Sequence, residues 1–312
     1  MKIAVVGVGA MGSVYAALLA DAGNEVSAID VSPSQISAIR ERGLHVEGAS
    51  GDRVVRLHAT GDPAEVGPVD LVVIATKAMH ARAAAESVRP LLGAETVVLP
   101  IQNGLGSSEA VAEVVGADRV VVGVAGGFGA SVISPGHAHH HGLELVRLGE
   151  LTGTSTPRLD RIAETWRAAG FTVATFDDIG RLVWEKLICN VAFSGPCAVL
   201  DATIGEVLAN EHAWSIASAC AVEAFEVAGA GGIALGFDDP VAYVTSFGKA
   251  IAGARPSLAL DLRAGRPTEI DAINGAIPPR AAELGLAAPY NTTIVALVRA
   301  LEARQAYSES RA

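Results

Sequence analysis

Over the first 180 residues, short apolar runs alternate with segments whose apolar positions recur every three or four residues. Ile3–Val6, Glu25–Ile29, Leu71–Ala75, Thr96–Ile101 and Val120–Val124 are brief, β-branched and bounded by turn residues, which predicts strands. Helical spacing fills Met11–Ala22 and Pro33–Arg42 between them. Val54–His58 predicts a small extra strand pair, and Gly170–Phe176 a last strand. Strands alternating with helices need right-handed crossovers and therefore a parallel sheet. After Asp178 the strand runs stop. Helical patterns follow at Ile179–Val191, Glu206–Ala228, Pro240–Ala252, Ile270–Leu284 and Thr292–Gln305. Pro196 is expected to end or kink the first of these. The pattern predicts an α/β chain in two parts: a doubly wound parallel sheet over residues 1–178 and an all-helical domain over 179–312. The polar tail Tyr307–Ala312 is expected to fray.

Charge narrows the partners. Acidic residues outnumber basic ones 34 to 23, a formal charge of −11 over 312 residues. Nucleic acid and anionic membrane surfaces both call for clustered Lys/Arg, so neither is expected. Half the residues are apolar, yet no stretch suits a membrane span. Val120–Leu143 is broken by glycines, Pro135 and four histidines, and Leu187–Leu200 is too short. Met1-Lys2 leads straight into a strand rather than a signal-peptide h-region. Cys189, Cys197 and Cys220 form no C-x-x-C, which fits inert core thiols in a reducing cytoplasm.

Candidate chemistry begins directly after the first strand, at Gly7-Val8-Gly9-Ala10-Met11-Gly12. This G-x-G-x-x-G has the required context of strand, tight loop and helix start. Gly7 permits the turn, Gly9 lets backbone approach a pyrophosphate, and Gly12 lets the helix pack on the strand. The helix N-terminus adds free N–H donors and a positive dipole end. The pattern predicts a Rossmann-type dinucleotide site. Asp30 ends the second strand, where a carboxylate accepts from ribose hydroxyls and repels a 2′-phosphate. No basic residue follows before Arg40, which favours NAD(H) over NADP(H). The competing reading makes Asp30, or Ser32, a simple helix cap. Lys77 and Asn103-Gly104 fall at the carboxyl ends of predicted parallel strands, where such folds bind ligands. An ordinary surface lysine and an ordinary turn dipeptide are the bland alternatives.

In the helical part, Lys186, Asn190 and Ser194 share one helix face at i, i+4 and i+8. The bland reading is a lysine snorkelling to solvent. Further on, Thr268 could cap a new helix with Asp271 at its third position, leaving Glu269 in the first turn as a dipole carboxylate.

Taken together, these residues resemble the ketopantoate reductases (2-dehydropantoate 2-reductases), nearly end to end. The resemblance rests on the Gly7/Gly9/Gly12 loop, Lys77 in T-K-A, Asn103 in Q-N-G, Lys186-x-x-x-Asn190 and Ser257-x-x-x-Asp261. It rests above all on G-R-x-T-E-I-D-x-x-N-G, Gly265 through Gly275. It implies a Rossmann domain plus a helical domain with the active site in the cleft between them, and hydride transfer to the ketone carbon of a 2-oxo acid. Lys186 would be the general acid. Glu269 would grip a substrate hydroxyl and orient Lys186. Asn190, Ser257 and Asp261 would hold the substrate's polar groups. Lys77 and Asn103 would sit near the nicotinamide and the substrate entrance. A cytoplasmic enzyme is expected, and its apolar helical domain makes a homodimer plausible.

Three departures bear on specificity. Asp30-Val31 stands where NADP(H)-using members place a basic or amide residue. Ser194 stands where the family has a second asparagine, so it is expected to reshape the substrate pocket. His137, His139, His140 and His141 form a run not expected in the family. It reads as a solvated or interface loop, with an anionic-substrate contact or a metal site as alternatives; no carboxylate or cysteine accompanies it before Glu144, and no metal is assigned. Ketopantoate is the default substrate. An NAD-dependent dehydrogenase of a related hydroxy acid is the alternative within the family. A β-hydroxyacid dehydrogenase is disfavoured by Gly265–Gly275. A non-catalytic dinucleotide sensor is disfavoured by Lys186, Asn190 and Glu269 together.

Overall fold

The computed structural model describes residues 1–127, 129–142 and 145–309. The chain divides into two compact units. The first comprises Met1–Gln102 and Ser107–Ile179, and the second comprises Asn103–Gly106 and Gly180–Ala312.

In the first unit the elements run β1 (Lys2–Val6), α1 (Ala10–Asp21), β2 (Glu25–Ile29), α2 (Pro33–Arg42), β3 (Leu44–Gly48), β4 (Arg53–Val55), β5 (His58–Thr60), β6 (Val69–Ile74), α3 (Ala81–Ser87), β7 (Leu92–Pro100) and α4 (Ser107–Val115). They continue through β8 (Val121–Gly126), β9 (Gly129–Ser134), β10 (His137–Gly142), β11 (Leu145–Glu150), α5 (Pro157–Ala168) and β12 (Thr172–Thr175). Five strands form a parallel sheet in the order β5-β2-β1-β6-β7. The order turns back beside β1, so ligands are expected at the carboxyl ends of β1 and its neighbours.

Residues 54–58 are not one strand pair. β4 pairs antiparallel with β3, while β5 joins the main sheet beside β2. Four strands escape the sequence pattern: β3, β9, β10 and β11. The histidine run is no loop but strand β10, which pairs antiparallel with β9 and parallel with β3. Its period of two explains why: Ala138 and His140 are buried, while His137, His139 and His141 lie on the other face. The sheet β4-β3-β10-β9 turns Val46 and Ala138 toward α1, which therefore has a sheet on both sides. β8 and β12 flank β11 in a third sheet. Tyr15, Trp166 and Phe171 lock α1 to α5, with ring centroids 4.9 to 5.9 Å apart.

The second unit is helical: α6 (Ile179–Leu200), α7 (Ile204–Ala209), α8 (Glu211–Ala230), α9 (Pro240–Ala250), α10 (Ser257–Arg263), α11 (Ile277–Glu283) and α12 (Pro289–Glu309). Three expectations change. Pro196 does not end α6, which runs on to Leu200. The pattern over 206–228 is two helices, because a Thr203/Glu206 capping box starts α7 and the Asn210 side chain caps α8. The pattern over 270–284 is interrupted, because Pro278-Pro279 lack N–H donors and must open a helix rather than continue one. Thr268 therefore caps no helix; its hydroxyl accepts from Ile270 N at 3.3 Å in a tight turn. Tyr307–Glu309 belong to α12 rather than a frayed tail, and residues 310–312, like Glu144, lie outside the described residues.

No described helix is long and apolar enough to cross a membrane. All three cysteines are free and buried. Burial pushes Cys189 and Cys197 up to about 12, and raises Cys220 as well. The native protein should therefore resist thiol reagents at pH 8 and yield three reactive thiols only on unfolding. Prompt labelling of the native protein with a chromogenic disulfide would contradict this packing.

Candidate active site

The two units each carry one half of the expected chemistry. In the first, the loop Gly7-Val8-Gly9 joins β1 to α1. Gly7 has φ +88°, and a Cβ there would lie 2.8 Å from Thr76. A Cβ on Gly12 would sit 1.9 Å from the Gly7 carbonyl oxygen. At Gly9 a Cβ would meet nothing within 4 Å, so this side of the loop is open. The α1 N-terminus has no side-chain cap and no acidic residue in its first turn. An open loop over an uncapped helix start suits a pyrophosphate, so the residues fit a dinucleotide.

Val8 is held from both sides. Its N–H donates to Asp30 Oδ2 at 2.8 Å. Its carbonyl accepts from Gln35 Nε2 at 2.7 Å and from the Ser13 hydroxyl at 2.9 Å. Asp30 also accepts from Ser32 N at 2.9 Å. The cap of α2 is Ser32, whose hydroxyl accepts from Gln35 N at 3.4 Å. Asp30 is thus not the helix cap; its carboxylate sits at the end of β2, tied to the glycine loop. Gln35 and Ser13 were not singled out in the sequence, since their roles come from tertiary placement. Lys77 follows β6 and is half-buried. Beside it Gln102 crosslinks two strand ends, donating to Ile74 O at 2.7 Å and Thr76 O at 3.2 Å.

In the second unit, Lys186 and Asn190 are half-buried on one face of α6, with Ser194 buried one turn further on. Lys186 Nζ donates to Asn103 Oδ1 at 2.8 Å. Asn103 was expected near the nicotinamide; its side-chain oxygen engages Lys186. The 103–106 segment is fixed by close approach. Gly104 has φ +84°, a Cβ on it would lie 2.1 Å from Ala272 O, and Leu105 N donates to that oxygen at 2.9 Å. The same turn carries Glu269, half-buried, whose carbonyl accepts from Ala272 N and Ile273 N at 3.1 Å.

Asn274, from the Gly265–Gly275 motif, is fully buried and donates to Val191 O and to Asn291 Oδ1, both at 2.9 Å. Asn291 in turn donates to Glu223 Oε2 at 2.7 Å. This buried chain ties the motif to the helix bearing Lys186. Asn274 was visible in the motif, but no role was assigned to it. Ser257 is exposed at the start of α10, and Asp261 accepts from Arg266 Nε at 2.9 Å.

Comparison with known proteins gives the family. The ketopantoate reductase PanE/ApbA family matches residues 3–153, and its C-terminal part matches 178–302. The chain belongs to the ketopantoate reductase family. It is an oxidoreductase of the class acting on CH–OH groups. A 2-dehydropantoate 2-reductase from Streptococcus pyogenes serotype M3 is 29% identical, covering 97% of this chain and 98% of that protein. The crystal structure of a 2-dehydropantoate 2-reductase from Geobacter metallireducens is 34% identical with a TM-score of 0.89, covering 96% and 99% of the two chains. A D-mandelate dehydrogenase in complex with NADH is 28% identical with a TM-score of 0.89, covering 98% of this chain and all of that one.

The two loop glycines separate binding from folding. Gly9→Ala should leave thermal unfolding nearly unchanged while weakening NADH binding at least tenfold. Gly12→Ala should lose binding and stability together. An NADH fluorescence titration checks both; tight binding by Gly9→Ala would remove the pyrophosphate from this loop.

Proposed function

We propose that the protein reduces a 2-oxo acid to its 2-hydroxy acid, ketopantoate to pantoate by default, with Lys186 as general acid. The observation that carries this reading is the Lys186 ammonium oriented by Asn103 at 2.8 Å. The bound reduced nicotinamide supplies the hydride. As the ketone oxygen becomes an alkoxide, the ammonium stabilises the charge and gives up its proton, leaving a neutral amine that water reprotonates. The hydrogen bond to Asn103 restrains where the ammonium sits. Glu269 grips a substrate hydroxyl and helps orient Lys186. Asn190, Ser194, Ser257 and Asp261 hold the substrate's other polar groups. Gly7–Gly12 carry the pyrophosphate, and Lys77 lies near the nicotinamide.

Asp30 supports a preference for NAD(H). A carboxylate at the end of β2 accepts from ribose hydroxyls and repels a 2′-phosphate. This favours a second reading, an NAD-dependent dehydrogenase of a related 2-hydroxy acid, for which the NADH-bound D-mandelate dehydrogenase is a structural precedent. Ser194, shorter than asparagine, suits a different substrate group. We read the enzyme as a cytoplasmic homodimer with no nucleic-acid or membrane partner, in keeping with its charge of −11.

Steady-state assays with NADH, NADPH, ketopantoate and a panel of 2-oxo acids decide between the readings. Lys186→Ala should lower kcat by on the order of 10²-fold or more. Lys186→Arg should not restore it, because a guanidinium does not give up its proton. A near-normal rate in either variant would remove Lys186 from acid catalysis. Asp30→Ala should raise the KM for NADH and relax exclusion of NADPH; an unchanged ratio would confine Asp30 to holding the loop.

A further inference from the structure

The histidine run becomes chemically specific only where β10 meets β3. Their parallel register sets His137 beside His45 and His139 beside Glu47. Residues two apart share a face, so all four stand on the sheet face turned away from α1. There they are partly exposed, while Val46, Ala138 and His140 are buried behind them. One ligand atom each from His45, Glu47 and His137 lie within 4.8 Å of one another. The Glu47 carboxylate is 3.3 Å from His137 Nε2 and 3.3 Å from His139 Nδ1. A tetrahedral ion with bonds of about 2.0–2.2 Å needs its ligand atoms roughly 3.5 Å apart.

Two further observations point to a ligand. His137 Nε2 is buried and makes no hydrogen bond of good geometry. Asp52 Oδ1 lies 2.7 Å from His45 Nε2. A carboxylate accepting from Nε2–H leaves Nδ1 as the lone-pair nitrogen, the usual backing of a metal-bound imidazole. The His45 and His137 rings stack at 3.9 Å and 11°, which holds the two imidazoles side by side.

We propose that His45, Glu47 and His137 bind one divalent transition-metal ion of the Zn(II) or Ni(II) kind. Two imidazoles and one carboxylate are borderline donors that favour such ions over Ca(II) or Mg(II). The site clamps β3 to β10 rather than serving the redox chemistry. It bears on the cofactor loop through one relay: Gly136 N, just before β10, donates to Gln35 Oε1 at 2.8 Å, and Gln35 holds Val8.

The test is calorimetric titration of the full-length, chelator-treated protein with Zn(II), with thermal unfolding alongside. One equivalent should bind with micromolar or tighter affinity and raise the unfolding midpoint. Glu47→Gln and His137→Gln should each weaken binding at least tenfold, while His141→Gln leaves it unchanged. Metal-free unfolding midpoints close to that of the parent would show that the variants fold. The proposal is overturned by absence of saturable binding, by binding that survives both substitutions, or by a loss confined to His141→Gln.

Discussion

A single hydrogen bond, from Lys186 Nζ to Asn103 Oδ1 at 2.8 Å, organises the helical unit's share of the candidate site. A lysine ammonium on a four-carbon stem is a mobile point charge, and useful acid catalysis needs it in one place. The restraint closes on itself. Asn103 precedes Gly104 and Leu105, which dock on Ala272. Two residues later Asn274 reaches Val191 O on α6, the helix that carries Lys186. Lys186, Asn103 and the turn at residues 272–274 are therefore one mechanical unit.

The cofactor half rests on a comparable restraint at Val8. Its N–H and carbonyl are both committed, to Asp30 on one side and to Gln35 and Ser13 on the other. Loop geometry is thereby set before any ligand arrives, which lowers the ordering cost of binding. In a chain of net charge −11, an anionic cofactor must be met by local donors rather than by overall charge. Asp30 anchors the loop, and in the proposed reading the same carboxylate also disfavours a 2′-phosphate.

Much of this was legible in the sequence because the signals are local. The glycine loop, the β1–α1 step and the spacing of Lys186, Asn190 and Ser194 follow from short-range rules. The family motifs carried Asn103 and Glu269. What could not be read depends on long-range pairing. β10 looked like a histidine-rich loop because its pairing with β3 joins residues about 90 positions apart, and only that pairing brings Glu47 to the histidines. Gln35 and Ser13 looked like ordinary helix residues. Asn103 looked like a cofactor contact because its partner on α6 lies 83 residues away. The break in the 270–284 helix was present locally, in Pro278-Pro279, but apolar periodicity obscured it.

The most direct test of the central claim is a double-mutant cycle on single-turnover hydride transfer, followed by stopped-flow loss of NADH absorbance. If Asn103 acts by holding the Lys186 ammonium, Asn103→Ala slows transfer in the parent and adds little to Lys186→Ala, so that the double variant matches Lys186→Ala within about twofold. Losses that multiply across the two sites would contradict the account, because they would mean that the amide and the ammonium act independently.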